Sequence, residues 1–220
     1  MAVDLRLYAI VDPENTGGHK LAALAAQVAA NGATLVQLRD KNGTTREMIA
    51  RTRALIAALA PTGVPLLVND RVDVALAAEA DGVHIGQDDM PVNDARLLLG
   101  RNAIIGLSVK TLEQARAAPL ELLDYVAVGG IYATTSKDNT STPIGLDGLR
   151  AIVQVVRARA PGYPICAIAG IDAGNAGGVI EAGADGVSVI SALSHALDPG
   201  VAAQKLRGVV DGALGQRDGR

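Results

Sequence analysis

The chain has 220 residues, 49% of them hydrophobic and 20% charged, with 20 Lys and Arg against 23 Asp and Glu for a formal net charge of -3. That balance lacks the basic excess needed to bind a phosphate backbone, and four tyrosines with no Phe or Trp leave few platforms for base stacking, so no nucleic-acid partner is expected. Cys166 is the only cysteine, which excludes an intrachain disulfide framework and a Cys-rich zinc site, and no apolar run approaches the roughly 18 residues of a membrane span, so a cytoplasmic protein without a membrane partner is expected.

In chain order, short runs rich in Val, Ile and Leu predict strands at 5–11, 34–38, 65–68, 82–85, 103–107, 125–128, 164–168 and 186–190. Ala-rich stretches at helical period alternate with them, at 19–30, from Thr44, at 71–78, at 92–99, from Thr111, at 146–159, at 175–182 and from Asp198. Thr44 with Glu47 and Thr111 with Gln114 have capping-box spacing, in which each side chain satisfies a free N–H group of the other residue. Asp198 before Pro199 marks another helix start. Eight strand–helix units predict an α/β fold, a single (β/α)8 TIM barrel over residues 1–214, with a frayed polar tail at 215–220. A doubly wound open sheet is the alternative. The longest irregular connection, 129–145, is polar, and long polar loops in compact barrels are usually functional or mobile.

In a barrel the chemistry sits on the loops that follow the strands. The second strand ends in Gln37-Leu38-Arg39-Asp40-Lys41, the third in Asn69-Asp70, the fourth in Gln87-Asp88-Asp89 and the fifth in Ser108. The sixth runs into Thr134-Thr135-Ser136-Lys137, the seventh ends in Gly170 and the eighth in Ser191. Charge type divides this mouth in two. Asp70 and Asp89, on adjacent strands, offer carboxylates to a hard cation such as Mg2+, while Arg39 and Lys41 suit the phosphate oxygens that such an ion keeps as ligands. That half reads as a diphosphate site. In the other half, Gly170 permits close backbone approach and Ser191 opens a short segment whose N–H groups suit a monoanion.

Each residue also has a plainer reading: Asp70 as the cap of the helix at 71, Asp88 and Asp89 as turn residues before Pro91, Arg39 and Lys41 as surface charges, Ser191 as a helix cap. Their shared position at one end of the strands favours a site. His84 alternates within its strand and reads as a packed partner more readily than as a base.

Six motifs carry a family resemblance: Gln37-Leu38-Arg39-Asp40-Lys41, Val68-Asn69-Asp70-Arg71, Gly82-Val83-His84-Ile85-Gly86-Gln87-Asp88-Asp89-Met90-Pro91, Ile105-Gly106-Leu107-Ser108, Thr134-Thr135-Ser136-Lys137 and Ala184-Asp185-Gly186-Val187-Ser188-Val189-Ile190-Ser191. In their order and spacing the sequence resembles thiamine phosphate synthases, (β/α)8 enzymes that join the pyrimidine and thiazole halves of thiamine, over about residues 7–206. The resemblance implies that Gln37, Leu38, Arg39, Asp40, Lys41, Asn69, Ser108 and Lys137 hold the aminopyrimidine diphosphate, and that Asp70 and Asp89 hold Mg2+. It further implies that Thr134, Thr135, Ser136, Gly170, Ile190 and Ser191 hold the thiazole phosphate, and that Arg39, Lys41, Ser108 and Lys137 act in catalysis. The chain departs from the family pattern at Ala169, where a second Gly is usual, at Ala133, where Pro is common, and at Ser136, where Thr is frequent.

The reaction implied is a substitution in which diphosphate leaves the pyrimidine methylene carbon and the thiazole nitrogen takes its place. Rival readings are a thiazole tautomerase, which needs neither a metal nor a diphosphate pocket, a barrel that binds a phosphorylated ligand without turning it over, and a phosphosugar isomerase. The last would want a Glu base at a strand end, whereas Glu47, Glu79, Glu113, Glu121 and Glu181 fall on predicted helices or their edges. Small molecules are the expected partners, and a homodimer is expected only because closed dimers are common.

Overall fold

The computed structural model describes residues 3–134 and 142–219. Eight parallel strands pair in chain order and close into a barrel: β1 (Leu7–Val11), β2 (Leu35–Leu38), β3 (Leu66–Asn69), β4 (Gly82–Ile85), β5 (Ile104–Val109), β6 (Tyr125–Val128), β7 (Ile165–Ile168) and β8 (Gly186–Val189). The helices are α1 (Leu21–Ala30), α2 (Thr45–Leu59), α3 (Val72–Ala78), α4 (Val92–Leu99), α5 (Leu112–Ala117), α6 (Gly145–Arg159), α7 (Ala176–Glu181), α8 (Ser191–Ser194) and α9 (Pro199–Asp218). Pairing of Leu7 with Val187, Tyr8 with Ser188 and Ala9 with Val189 shuts the ring and excludes the open sheet. Every predicted strand forms to within two residues at either end. Among the described residues no helix is long and apolar enough to cross a membrane.

The strands are apolar nearly throughout because both their faces are covered. Along β1, Leu7, Ala9 and Val11 face the helices and join the larger core, whereas Tyr8 points inward and joins Leu5, Leu35, Leu67, Tyr125, Ala127 and Cys166 inside the barrel. The same alternation sends Gln37, His84, Ser108 and Ser188 inward on their strands, so the interior becomes polar toward the mouth. Gly106 gives Tyr125 its place: a Cβ there would fall 2.0 Å from Tyr125 Cζ.

Helix starts follow the capping signals with one difference. Thr44 accepts from Glu47 N–H at 3.3 Å while Glu47 accepts from Thr44 N–H at 2.8 Å, a complete box. Thr111 accepts from Gln114 N–H at 3.2 Å, but the Gln114 side chain reaches one residue further back and accepts from Lys110 N–H at 2.7 Å. Asp198 caps α9 through Gly200 and Val201, beside Pro199 at the first turn. The tail expected to fray from 215 is helical as far as Asp218, so the boundary after 214 has no structural counterpart. Polar composition hid this: Arg217 ties the last turn down, donating to the Ala184 carbonyl at 2.8 Å and to Asp185 at 3.1 Å.

One device recurs at the end of the barrel away from the mouth. The residue just before each even-numbered strand binds the first or second residue of the preceding strand. Thr34 Oγ1 accepts from Leu7 N–H at 3.1 Å, Asp81 from Leu66 at 2.8 Å, Asp124 from Ile105 at 2.8 Å and Asp185 from Ile165 at 2.9 Å. These bonds occupy N–H groups at strand starts that the sheet leaves free. Asp124 also pairs with Arg96, and Asp185 with Arg157 and Arg217. This end is built for stability, which leaves the other for chemistry.

Candidate active site

Arg39, just past β2, has its backbone fixed by a 2.9 Å bond to the Val11 carbonyl, and its guanidinium lies 2.5 Å from Asp12 Oδ2. Asp40 turns away from the mouth: it accepts from Gly43 N–H at 2.8 Å and pairs with Arg51 of α2, so it shapes the loop that carries its neighbours. The Leu38 side chain lies in the core between sheet and helices, which leaves only its backbone for a ligand. Lys41 reaches across and pairs with Asp70.

Asp70 is not a helix cap. The following helix begins at Val72 with Arg71 at its N-cap and no side-chain cap bond, while Asp70 sits at φ +61°, a left-handed conformation that its short polar side chain tolerates. Its Oδ2 accepts from Asn69 Nδ2 at 2.6 Å. Burial pushes the Asp70 carboxyl above its ordinary range, the Lys41 ammonium pulls it back, and the Asp89 carboxylate beside it pushes it up again. Asp89 accepts from Gly86 N–H at 2.7 Å and so is held by its own turn. Neighbouring strands thus present two carboxylates to one point, and the repulsion between them is what a divalent cation would remove. Among the described residues no cluster of three or more His, Cys, Asp or Glu supplies a fuller cage, so further ligands would come from substrate or water.

A hydrogen-bonded chain crosses the barrel beneath the mouth. Ser108 Oγ lies 2.8 Å from His84 Nε2, His84 Nδ1 lies 2.9 Å from the Tyr125 hydroxyl, and Tyr125 donates to the Tyr8 hydroxyl at 3.0 Å, which Gln37 also contacts. His84 is 8% exposed and both ring nitrogens are engaged, so it is the packed partner that its alternation suggested. Gln37 Oε1 is buried without a partner, and a half-turn of the amide would give the Tyr8 proton an acceptor. Neither tyrosine stood out in the sequence, because each lies in an apolar strand where an aromatic residue reads as core.

The other half of the mouth is a cavity of about 550 Å3 between the ends of β5 and β8. Thr134, Gly170, Ile190 and Ser191 line it together with Ser108, whereas Gln37, Arg39, Lys41, Asn69, Asp70 and Asp89 do not. The split by charge type is therefore also a split in space, with Ser108 on the border. Gly170 has φ +65°, and a Cβ there would meet the Ala133 carbonyl oxygen at 2.5 Å, so only glycine fits. Ala169 beside it holds φ +95°, a region that L side chains rarely adopt. Thr135, Ser136 and Lys137 lie outside the described residues. The described ends of that connection are tied by Ile144 N–H to the Gly130 carbonyl at 2.8 Å and Gly145 N–H to that of Ile131 at 3.1 Å. Sequence reasoning missed Asp12 and Lys110. In-register pairing of Val11 with Leu38 brings the residues after them together, and Lys110 follows Ser108 by two, the repeat of one strand face.

A family model described as thiamine monophosphate synthase matches residues 7–193. A thiamine-phosphate synthase of Agrobacterium fabrum is 47% identical over 215 residues, covering 98% of each chain. One of Albidiferax ferrireducens is 50% identical over 208 residues, covering 94% of this chain and 92% of that one. Among solved structures, a thiamine phosphate pyrophosphorylase from Pyrococcus furiosus superposes with a TM-score of 0.84 at 37% identity, covering 96% of this chain and 98% of that one.

Proposed function

Because this chain belongs to the thiamine monophosphate synthase family, and is thereby an enzyme of the transferase class, we propose that it couples 4-amino-2-methyl-5-(diphosphooxymethyl)pyrimidine with 4-methyl-5-(2-phosphooxyethyl)thiazole, or its carboxylated form, releasing diphosphate. The observation that carries this reading is the divided mouth. A charged half with Arg39, Lys41, Asp70 and Asp89 adjoins a separate cavity with hydroxyl and backbone donors and Lys110, and a reaction between a diphosphate and a phosphate monoester needs such a pair.

In the proposed reaction the bond from the pyrimidine methylene carbon to the diphosphate oxygen breaks, and the electron pair leaves with diphosphate. The 4-amino group delocalises the positive charge left on carbon, and the thiazole nitrogen lone pair then forms the new C–N bond. No side chain need take a proton from either substrate. Arg39, braced by Asp12, and Lys41 would stabilise the charge growing on the leaving group, with Lys137 assigned to the same task. Mg2+, when bound at Asp70 and Asp89, would neutralise further charge on the diphosphate. Ser108, held by His84, stands where the two substrates meet, and the cavity would keep the thiazole nitrogen in line with the carbon. We place the enzyme in the cytoplasm, in keeping with its single buried, reduced cysteine.

The test mixes purified protein with both substrates and Mg2+ and follows thiamine phosphate by mass spectrometry, with and without EDTA. Product that disappears with EDTA supports the synthase. No product from folded protein that still binds the thiazole phosphate would give way to the tautomerase or a non-catalytic binder.

A further inference from the structure

We propose that Lys110 is an additional substrate-binding residue, whose ammonium holds the phosphate monoester of the thiazole in the cavity between β5 and β8. The identity of the ester rests on the synthase reading. The placement of the cation does not.

Lys110 leaves β5 two residues after Ser108, so both side chains take the inward face of the strand line, and both line the cavity. Its stem leans toward the phosphate half: a Cβ placed on Gly129 would lie 3.5 Å from Lys110 Cγ, 3.6 Å from Cε and 3.9 Å from Ile168 Cγ2. Gly129 follows β6, which lies on the side of β5 opposite β4. Gln114 anchors its backbone through the 2.7 Å bond to Lys110 N–H.

Charge accounting points the same way. Arg39 and Lys41 already face Asp12 and Asp70, whereas among the described residues no carboxylate forms an ion pair with Lys110. Asp172, the one acid among the described residues of the cavity wall, is engaged by the Gly174 N–H at 2.7 Å. Ser188 Oγ, on the same wall, is buried without a partner at 2% residue exposure, a polar atom that a bound ester would satisfy. The remaining described wall is backbone, hydroxyl and aliphatic carbon, so among the described residues a dianion entering it meets one positive side chain, Lys110.

The experiment compares the wild type with Lys110→Met, which keeps the stem and drops the charge, and Lys110→Arg, which keeps the charge. Circular dichroism establishes that each is folded. Steady-state kinetics should show KM for the thiazole phosphate raised roughly 5- to 30-fold by Met, with KM for the pyrimidine diphosphate within about twofold of wild type and Arg recovering most of the loss. Calorimetric titration of thiazole phosphate should show the same weakening without catalysis. If the wild type binds thiazole phosphate but forms no product, the synthase reading fails while calorimetry still decides Lys110. Tight binding by folded Lys110→Met, or weakening confined to the pyrimidine diphosphate, would overturn the proposal.

Discussion

The Arg39 guanidinium lies 2.5 Å from the Asp12 carboxylate, and the two side chains are 16% and 5% exposed. A cation at the mouth is thus aimed by an acid at the end of the neighbouring strand, which also accepts from Glu14 N–H at 2.9 Å. Most of the pair's freedom is spent before a ligand arrives.

Asp12→Asn keeps the shape and removes the brace. Thermal and chemical unfolding should show a loss of about 1–3 kcal/mol, since a hydrogen bond to a charged group is broken away from water. KM for the pyrimidine diphosphate should rise about tenfold, or 1.4 kcal/mol of binding. A KM that falls instead would show that Asp12 competes with the diphosphate for Arg39.

Asp70→Asn separates activity from stability. Asparagine accepts the left-handed backbone at this position and relieves the repulsion from Asp89, so the unfolding midpoint should move by no more than the equivalent of about 1 kcal/mol. On the proposed reading turnover should drop by at least about 100-fold, because a carboxylate that would hold Mg2+ against the leaving diphosphate is gone. Unchanged turnover in the folded variant would remove Asp70 from the charged half of the site.

Asp185→Ala should do the reverse. It frees Ile165 N–H and two arginines at the far end of the barrel, where no substrate reaches. Stability should fall by about 1–3 kcal/mol with kcat/KM unchanged below the new melting temperature. A drop in kcat/KM without loss of stability would contradict a purely structural clamp.

Alkaline pH should unfold the protein cooperatively. Burial pushes the Cys166 thiol and the Tyr8, Tyr125 and Tyr163 phenols well above their ordinary values near 9 and 10. The folded state therefore keeps protons that the unfolded chain releases. Stability is complete below about pH 9 and lost as pH rises beyond it. Tyrosinate absorbance at 295 nm should climb together with the loss of far-ultraviolet dichroism, and native Cys166 should resist alkylation until then. Ionisation of more than one tyrosine before the dichroism changes would count against this.

Much of this was legible in the sequence because barrels repeat. The strand at 82–85 and the one at 125–128 form with the predicted limits, and the polar residues after the strands converge on one mouth. What stayed hidden depends on neighbours distant in the chain. Asp12 brings no site signal of its own and gains a role only when β1 lies beside β2 in register. Asp40 stands in a motif that reads as ligand-facing, yet Arg51, 11 residues on, turns its side chain away. Gln114 shows capping spacing, but which N–H it reaches is set by the chain leaving β5.

Closure of the ring also has a cost in time. β1 is the first of the barrel strands to emerge during synthesis, and its outer edge pairs with residues 187–189 of β8. At cellular elongation rates that edge waits on the order of 10 to 40 s for its partner, exposed as an unpaired strand. No circular permutation shortens the wait, since any cut in a closed ring makes the first strand depend on the last.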